Sequence, residues 1–298
     1  MPAQPLDVLC LGHAAYDLTF AVPHHPAPDE KSVADRFVGC GGGPAANAAV
    51  AVARLGGRSA FAGYLGDDVY GDLHLAELAA EGVDTRLVVR GPDPTPLSVI
   101  LAKPDGRRSL VNYRGSTRPL PANALDPAIY QPRVILFDGL EPDLSPPVAR
   151  WARAQGILTV LDAGSVHRGT AALVELVDYV VASEKFGLAF SGAAEARTAV
   201  SHLAAIAPTA VITLGARGLV WQRGAEAGEL GAWAVTAVDT TGAGDAFHGA
   251  LAYGLSQNRP WPDLLRYASA AAALCCTRHG ARLGLPTATA VAALLTGS

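Results

Sequence analysis

Short apolar runs alternate with helix-forming stretches along most of this 298-residue chain, and this alternation is what most constrains its fold. The pattern predicts helices at 45–55 and 69–81 and strands at 6–12, 59–65, 87–90, 134–137, 158–161, 179–182 and 210–214. Because parallel strands are joined by crossover helices, it indicates an α/β fold with a mostly parallel central sheet covered on both faces. No Gly/Ser-rich linker divides the chain, so we expect a single domain over residues 1–298.

Two segments, at about 16–38 and 97–114, break this alternation with short strand-like runs. In the second segment two such runs flank Pro104-Asp105-Gly106. Asp-Gly between strand patterns is typical of a hairpin, so we predict a small antiparallel sheet that projects from the main domain. Such a sheet is either an ordinary extension of the main sheet or a lid that closes over a substrate and excludes water.

Composition excludes several classes of protein. Hydrophobic residues make up 50% of the chain and charged residues 17%, so extended disorder is not expected. The net charge of −4 provides no basic surface for nucleic acid. The sequence shows no signal-peptide pattern and no apolar run of ~20 residues, so we expect a cytoplasmic protein without a membrane partner. The four cysteines lack the spacing of a zinc site and are predicted to be buried free thiols.

A glycine-containing segment near the carboxyl terminus carries the strongest functional signal. Residues 239–249 read Asp-Thr-Thr-Gly-Ala-Gly-Asp-Ala-Phe-His-Gly, follow a strand-like run at 232–235 and precede a predicted helix that opens at 246–251. Free N–H groups of the loop and the positive helix end favour an anion site. Asp245 within such a site would act as a general base for a hydroxyl that attacks a phosphoryl group. Alternatives are a simple turn in which Asp245 caps the helix and, less well matched, a dinucleotide-binding loop.

A second glycine cluster spans residues 39–47. Three consecutive glycines, 41–43, precede a predicted helix whose first residue is Pro44, and they expose backbone N–H groups to a polar ligand. Asn47 offers a donor and an acceptor one turn into that helix. Asp17 follows the first predicted strand, where its carboxylate could accept hydrogen bonds from adjacent sugar hydroxyls. A loop with unusual dihedral angles and a surface aspartate remain the alternative interpretations.

These two clusters together resemble the signatures of the ribokinase-like (PfkB) carbohydrate kinases. The first signature is matched at 41–47 and 53–56, the stretch 63–71 also fits, and the second is matched at 239–245. The resemblance covers essentially the whole chain. It implies a three-layer αβα Rossmann-like domain with a β-sheet lid at about 16–38 and 97–114. It also implies an enzyme that uses Mg-ATP to phosphorylate a sugar hydroxyl, usually a primary alcohol.

The resemblance also implies roles for individual residues. Asp245 would be the catalytic base, and the N–H groups of Gly242, Ala243 and Gly244 would stabilise the transferring phosphoryl group. The residues implied for sugar binding are Asp17, Gly42, Gly43, Asn47, Asn112 and Arg114. Those implied for the nucleotide are Ser183, Thr213, Gly215, Gly218, Thr241, Cys276 and Gly280, with the 276–282 region on the adenine side. Asp239 lies where many relatives bind a monovalent cation such as K⁺, and relatives often form homodimers through their lids.

One departure affects the metal. Many relatives carry Asn-x-x-Glu at the end of a middle strand, and here residues 182–186 read Ala-Ser-Glu-Lys-Phe. Glu184 could still orient Mg²⁺ through water, because this ion keeps most of its hydration shell.

Details of the sequence at 161–165, 183–184, 247–251, 276–278 and 284–286 resemble the branch with ketohexokinase and sulfofructose kinase. A sulfonated sugar would call for a cation near its anionic end, which sulfofructose kinase supplies with an arginine just after the fourth core strand. In this chain the matching residues 137–141 are acidic and contain no arginine. A neutral ketohexose such as fructose is therefore the leading substrate expectation. The alternatives are a sulfofructose kinase, a nucleoside or other small-alcohol kinase, and a non-catalytic sensor.

Overall fold

A computed structural model describes residues 4–104 and 107–297. Its strands are β1 (Gln4–Leu11), β2 (Ala15–Ala21), β3 (Arg36–Gly42), β4 (Ser59–Gly66), β5 (Asp84–Gly91), β6 (Leu97–Ala102), β7 (Arg108–Tyr113), β8 (Tyr130–Phe137), β9 (Leu158–Ala163), β10 (Tyr179–Ser183), β11 (Thr209–Thr213), β12 (Leu219–Arg223) and β13 (Glu226–Leu230). Its helices are α1 (Pro44–Arg54), α2 (Val69–Ala80), α3 (Ser145–Ala154), α4 (Arg168–Leu173), α5 (Glu184–Ser191), α6 (Ala196–Ala204), α7 (Ala243–Ser256), α8 (Trp261–Cys275), α9 (Ala281–Gly284) and α10 (Ala288–Thr296).

The main sheet has nine strands in the order β13-β12-β11-β10-β9-β8-β1-β4-β5. Neighbouring strands from β11 through to β5 pair in parallel, and β12 and β13 add an antiparallel edge. The predicted helices and strands in this part of the chain agree with the observed ones to within a few residues, apart from strand β8, which begins at Tyr130. The α/β prediction is therefore confirmed.

Apolar side chains of the central strands point alternately to the two faces of this sheet. Val8 and Cys10 of β1 pack with α1, α7 and α8 in one buried cluster, whereas Leu9 and Leu11 pack with α3, α5 and α6 in a second. This alternation follows from the two-residue period of a strand. Two helical layers with a sheet between them give the expected three-layer αβα arrangement.

A second sheet of four strands has the order β3-β2-β6-β7. It lies in the two segments that interrupt the sequence alternation. The prediction of a purely antiparallel sheet is wrong in one pairing. Strands β2–β3 and β6–β7 are antiparallel, but the central pair β2–β6 is parallel. Between β2 and β6 the chain runs through β3, α1, β4, α2 and β5, so these two strands are not joined by a hairpin. Strands β6 and β7 do pair as a hairpin, while the predicted turn residues Asp105 and Gly106 lie outside the described residues.

The strand-like run at 232–235 does not form a strand. Strands β12 and β13 come before it, and β13, not this run, forms the edge of the sheet. The run lies instead along α8, where the Trp233 indole N–H donates to the Arg266 carbonyl oxygen at 3.2 Å. Helix α7 also begins at Ala243, three residues before the predicted opening. Asp245 is therefore inside the first helical turn.

The cysteines have free thiols, with Cys10, Cys40 and Cys275 buried and Cys276 half-buried. Within the described ranges, no helix combines the length and the apolar character needed to cross a membrane.

Candidate active site

A cavity of about 310 Å³ lies between the second sheet and the amino-terminal ends of α1 and α7. The predicted residues that line it are Asp17, Gly43, Asn47, Asn112, Arg114, Thr241, Gly242 and Asp245. These residues are up to 228 positions apart in sequence numbering, from Asp17 to Asp245. The fold therefore brings both glycine clusters to one cavity.

Gly242 forms the turn that starts α7. Its φ of 79° lies in the left-handed region, and an added Cβ would be 2.6 Å from the Cβ of Ala281, so only glycine fits here. Within the described residues no side chain caps α7, which leaves its positive amino-terminal end facing the cavity. The Ala243 N–H donates to the Thr240 carbonyl oxygen at 3.3 Å, so this one of the three predicted N–H groups already has a partner within the loop. This geometry suits an anion.

Asp245 does not cap its helix, which excludes the simple-turn interpretation. Its Oδ2 instead accepts a hydrogen bond of 2.7 Å from the Asn47 side-chain amide of α1. Burial raises the pKa of Asp245 to about 7, and the charge of Asp162 adds to the increase. The hydrogen bond from Asn47 and the neighbouring His248 side chain act in the opposite direction. A carboxyl group with this pKa can exchange a proton with a ligand near neutral pH.

Asp17 is the second carboxyl group of the cavity. It lies on β2 opposite Cys40 of β3, and its side chain is buried. Burial raises its pKa to about 6, and the neighbouring Ser98 side chain of β6 opposes this increase. Gly42 lies directly behind it, since an added Cβ there would be 2.3 Å from Asp17 Oδ2. Part of the second glycine cluster is therefore needed for close packing against Asp17, while Gly43 lines the cavity itself.

Strand β7 contributes the side chains on the opposite wall. Arg108, Leu110, Asn112 and Arg114, which alternate along this segment, all line the cavity. Arg108 was not predicted as a site residue. Its guanidinium contacts the Thr241 hydroxyl and lies 3.5 Å from Asp239 Oδ1, so it links the second sheet to the glycine loop. The strand period of two, applied to the predicted Asn112 and Arg114, would have identified it.

His13 and Ser98 also line the cavity and were not predicted. The backbone N–H of His13 donates to Asp138 Oδ2 at 2.7 Å, and burial lowers the pKa of its imidazole to about 4. Neither residue belongs to a recognisable sequence motif. His13 lies in the loop between β1 and β2 and Ser98 is the second residue of β6, so the fold alone brings them to the cavity.

The residues implied for the nucleotide lie in two groups. Ser183 and Thr213 end the neighbouring strands β10 and β11, and Gly215 and Gly218 bound the turn that follows β11. Two further members approach the glycine loop: the Cys276 carbonyl oxygen accepts the Asp239 N–H at 3.2 Å, and the Gly280 N–H donates to Asp239 Oδ2 at 2.8 Å. Thr241 alone among the seven lines the cavity.

Arg282 ends the 276–282 region that is expected on the adenine side, and it is buried. Its side chain is 3% exposed and points towards α1 and α2. The Nε group donates to Asn47 Oδ1 at 3.2 Å, and Nη2 lies 3.1 Å from His74 Nε2. Arg282 thus supports the asparagine that binds Asp245.

Asp239 is already well supplied with donors from the protein. Its carboxylate accepts hydrogen bonds from the Thr241 N–H at 2.9 Å, the Thr241 hydroxyl at 2.6 Å and the Gly280 N–H at 2.8 Å. Burial alone would raise the pKa of Asp239. The hydrogen bonds stabilise its charged form more strongly, so the pKa of Asp239 lies below the usual value for an aspartate. The guanidinium of Arg108 also lies beside this carboxylate, so Asp239 is poorly suited to act as a ligand of K⁺.

Glu184 begins α5 and forms an ion pair with Arg217. It is not among the residues that line the cavity. In the part of the chain that the structure describes, no group of three or more His, Cys, Asp or Glu side chains is arranged to hold a metal ion. Glu184 and its surroundings therefore fit a magnesium ion that would be bound mainly by a nucleotide and by water, and not by a full set of protein ligands.

Comparison with known proteins places this geometry in a class of enzymes. Residues 5–288 match the model of the pfkB family carbohydrate kinases, and the chain belongs to this family of sugar kinases. It is 28% identical to the ribokinase of Haemophilus influenzae over 290 residues, covering 93% of this chain and 94% of that protein. It is 30% identical to the fructokinase of Vibrio alginolyticus over 284 residues, covering 84% and 90%.

A structural relative agrees with this assignment. The structure of Arabidopsis thaliana ribokinase complexed with ribose and ATP superposes with a TM-score of 0.87 at 25% identity and covers 99% of this chain and 100% of that one. The expectations of a ribokinase-like fold and of a carbohydrate kinase are confirmed. The finer branch with ketohexokinase and sulfofructose kinase stays a prediction.

Proposed function

We propose that this kinase transfers the γ-phosphoryl group of ATP to a primary hydroxyl of a small sugar, with Asp245 as the general base. The observation that carries the proposal is the position of Asp245 in the first turn of α7, inside the cavity and held by Asn47 at 2.7 Å. A carboxylate beside an uncapped helix end serves no purpose in anion binding alone. It does suit the removal of a proton from a hydroxyl next to a phosphoryl group.

In the proposed reaction Asp245 accepts the proton of the sugar hydroxyl as its oxygen forms a bond to the γ-phosphorus. The bond between that phosphorus and the bridging oxygen breaks, and ADP leaves with the electron pair. The loop of Gly242, Ala243 and Gly244, at the positive end of α7, would stabilise charge on the transferring group. A magnesium ion carried by ATP would neutralise phosphate charge when bound. Glu184, which is paired with Arg217, would reach this ion only through water.

ATP as the donor is supported by the Arabidopsis ribokinase structure, which contains it. The two groups formed by Ser183, Thr213, Gly215, Gly218, Thr241, Cys276 and Gly280 would hold the nucleotide beside the glycine loop. The contact between Arg108 and Thr241 crosses from β7 to one of these residues. We infer that the second sheet acts as a lid and that this contact marks its closed position.

The sugar would lie against Asp17, Gly42, Gly43, Asn47, Asn112 and Arg114. The buried Asp17 carboxylate can accept hydrogen bonds from two neighbouring hydroxyls, and Asn112 is held by Ser98, whose hydroxyl donates to its Oδ1 at 3.1 Å. We propose a neutral ketohexose such as fructose, in agreement with the names of the fructokinase relatives. In the acidic stretch at 137–141, the Asp138 carboxylate accepts hydrogen bonds from the backbone N–H groups of His13 and Leu140.

One observation favours a second candidate, an anionic sugar such as sulfofructose. Arg114 lines the cavity, and within the described residues no carboxylate forms an ion pair with its side chain. A free guanidinium is well suited to a sulfonate or another forked anion. A single substrate panel separates the two candidates.

The test has two parts. ATP consumption is measured with fructose, ribose, sulfofructose and adenosine, and we expect fructose to give the highest kcat/KM. Asp245→Asn should then lower kcat with the best sugar by at least about 100-fold, while sugar and ATP still bind. Asp263→Asn is the matched control, because Asp263 occupies the first turn of α8 but is exposed and does not line the cavity. Turnover of Asp245→Asn near that of the control would show that the base is assigned incorrectly.

A further inference from the structure

A buried pair of ionisable side chains lies directly behind Asp245. His248 follows Asp245 by one helical turn on α7, and Asp162 is near the end of β9. Asp162 Oδ2 is 3.3 Å from His248 Nδ1, and both side chains are buried. They come from two sequence segments, 161–165 and 247–251, that carry no role in the reaction proposed above. Neither residue lines the cavity.

The surroundings of His248 determine its protonation. Its Nδ1 lies 2.6 Å from the Gly244 carbonyl oxygen, and its Nε2 lies 3.1 Å from the Val181 carbonyl oxygen. A carbonyl oxygen can only accept, so each ring nitrogen must donate. Only the imidazolium form carries a proton on both nitrogens. The Asp162 carboxylate supplies the opposite charge that a buried cation requires.

The hydrogen bond to Gly244 connects this pair with the candidate active site. The Gly244 carbonyl and the Asp245 N–H belong to the same peptide group, in the first turn of α7. A charged donor on that carbonyl fixes the orientation of the peptide and strengthens the N–H dipole at its other end. The orientation of this peptide in turn determines the direction in which the Asp245 side chain leaves the backbone.

We propose that His248 is a protonated positioning residue, which with Asp162 forms a buried ion pair that holds the Gly244–Asp245 peptide in the geometry needed for phosphoryl transfer. This inference rests on the proposed role of Asp245. It adds two residues that act through the loop and the base and touch neither sugar nor nucleotide.

The charges around the pair are consistent with this assignment. Burial raises the pKa of Asp162, and the positive charge on His248 opposes the increase. Asp162 raises the pKa of Asp245 while His248 lowers it, so the pair as a whole places little net charge behind the base. The other ionisable groups that face these residues are Asp138, whose pKa Asp162 raises, and Asp17 and Cys275, which interact with Asp245.

The first measurement needs no variant. Nitrogen-15 NMR of the wild-type protein at pH 7.5 should show both ring nitrogens of His248 protonated, with the signals assigned by their loss in His248→Asn. In Asp162→Asn the His248 ring should become neutral at the same pH, because its counter-charge is gone. A wild-type His248 with one unprotonated ring nitrogen would overturn the inference. These spectra test the protonation of His248 even if the protein phosphorylates no sugar. The absence of sugar phosphorylation would contradict only the proposed function.

The second measurement is a double-mutant cycle on kcat. His248→Asn and Asp162→Asn should each lower kcat about 10- to 100-fold with little change in the KM for sugar, since a charged hydrogen bond is lost from the loop in both. The double variant should be no slower than the worse single variant, because the two residues act as one unit. Losses that multiply, or variants that lose stability but keep kcat, would overturn the positioning role. His202→Asn, on the exposed face of α6, is the control and should leave kcat unchanged.

Discussion

Replacing Arg282 with methionine tests whether a buried polar network supports the candidate base. Methionine keeps much of the side-chain volume and removes the charge. Arg282 is 3% exposed, donates to Asn47 Oδ1 at 3.2 Å, approaches His74 Nε2 at 3.1 Å and lies 3.7 Å from Glu77 Oε2. The substitution therefore removes the donor to the Asn47 amide oxygen and to the His74 ring nitrogen, and it removes the cation beside the Glu77 carboxylate.

The expected loss of stability follows from these contacts. Breaking a buried ion pair by removing one partner costs about 3–5 kcal/mol. Glu77 is only partly buried, and its Oε2 still accepts the Gly41 N–H at 2.7 Å, so part of that cost is avoided. Burial also lowers the pKa of Arg282, which means that its charge is itself costly in the folded state. We therefore expect a decrease of about 3 kcal/mol in the free energy of unfolding.

A second effect should appear in catalysis. Arg282 holds the oxygen of the Asn47 amide, and the nitrogen of the same amide holds Asp245 at 2.7 Å. Once Arg282 is gone, the amide is free to rotate, so kcat should fall together with stability.

The assay is urea denaturation followed by tryptophan fluorescence, together with kcat on the best sugar. Arg278→Met is the control, because Arg278 is exposed and only four residues away. The control should stay within about 0.5 kcal/mol of the wild type. A stable Arg282→Met protein would refute the stabilising network, and a destabilised one with unchanged kcat would refute its connection with Asp245.

Two further predictions concern the glycine loop and the second sheet. Gly242→Ala should lower kcat by about 100-fold, because the new Cβ would lie 2.6 Å from Ala281 Cβ and displace the loop. Gly192→Ala is the control, since Gly192 also has a positive φ of 69° but has open space around it. It should lower the stability of the protein and leave kcat unchanged. We also propose a homodimer through the second sheet, so Val111→Glu on β7, where the valine is 67% exposed, should give a monomer in sedimentation experiments, whereas Val69→Glu at a 63% exposed position on α2 should not. A wild-type protein that is monomeric at micromolar concentration would contradict this proposal.

Features encoded over short stretches of sequence were predictable. Helix α1 begins at Pro44 after three glycines and ends just before Gly56, and each of these signals is local. Asp17, Asn47 and Asp245 were assigned to one site by the resemblance of the two glycine clusters to the PfkB carbohydrate kinases, and the structure shows all three in one cavity. The local sequence signals alone left a simple turn and a surface aspartate open as alternatives for this part of the site.

Features that depend on long-range packing were not predictable. Arg282 and Asn47 are separated by 235 positions, and no local pattern shows that a buried arginine binds that amide. Strands β12 and β13 are short, and β13 contains two glutamates and a glycine, so the more apolar run at 232–235 was preferred wrongly. Which run joins a sheet depends on the neighbouring strand that is available to pair with it.

The exposure of β7 affects how the substrate preference of such an enzyme can change. All six residues of this strand are exposed, and none belongs to either buried cluster, yet Arg108, Leu110 and Asn112 face the cavity. Substitutions there alter what the cavity recognises at little cost to folding. Asp245, by contrast, lies on a helix packed into the core, where few replacements are tolerated. Recognition can therefore diverge along one peripheral strand while the chemistry remains fixed, and β7 is the segment in which to select variants for a new sugar.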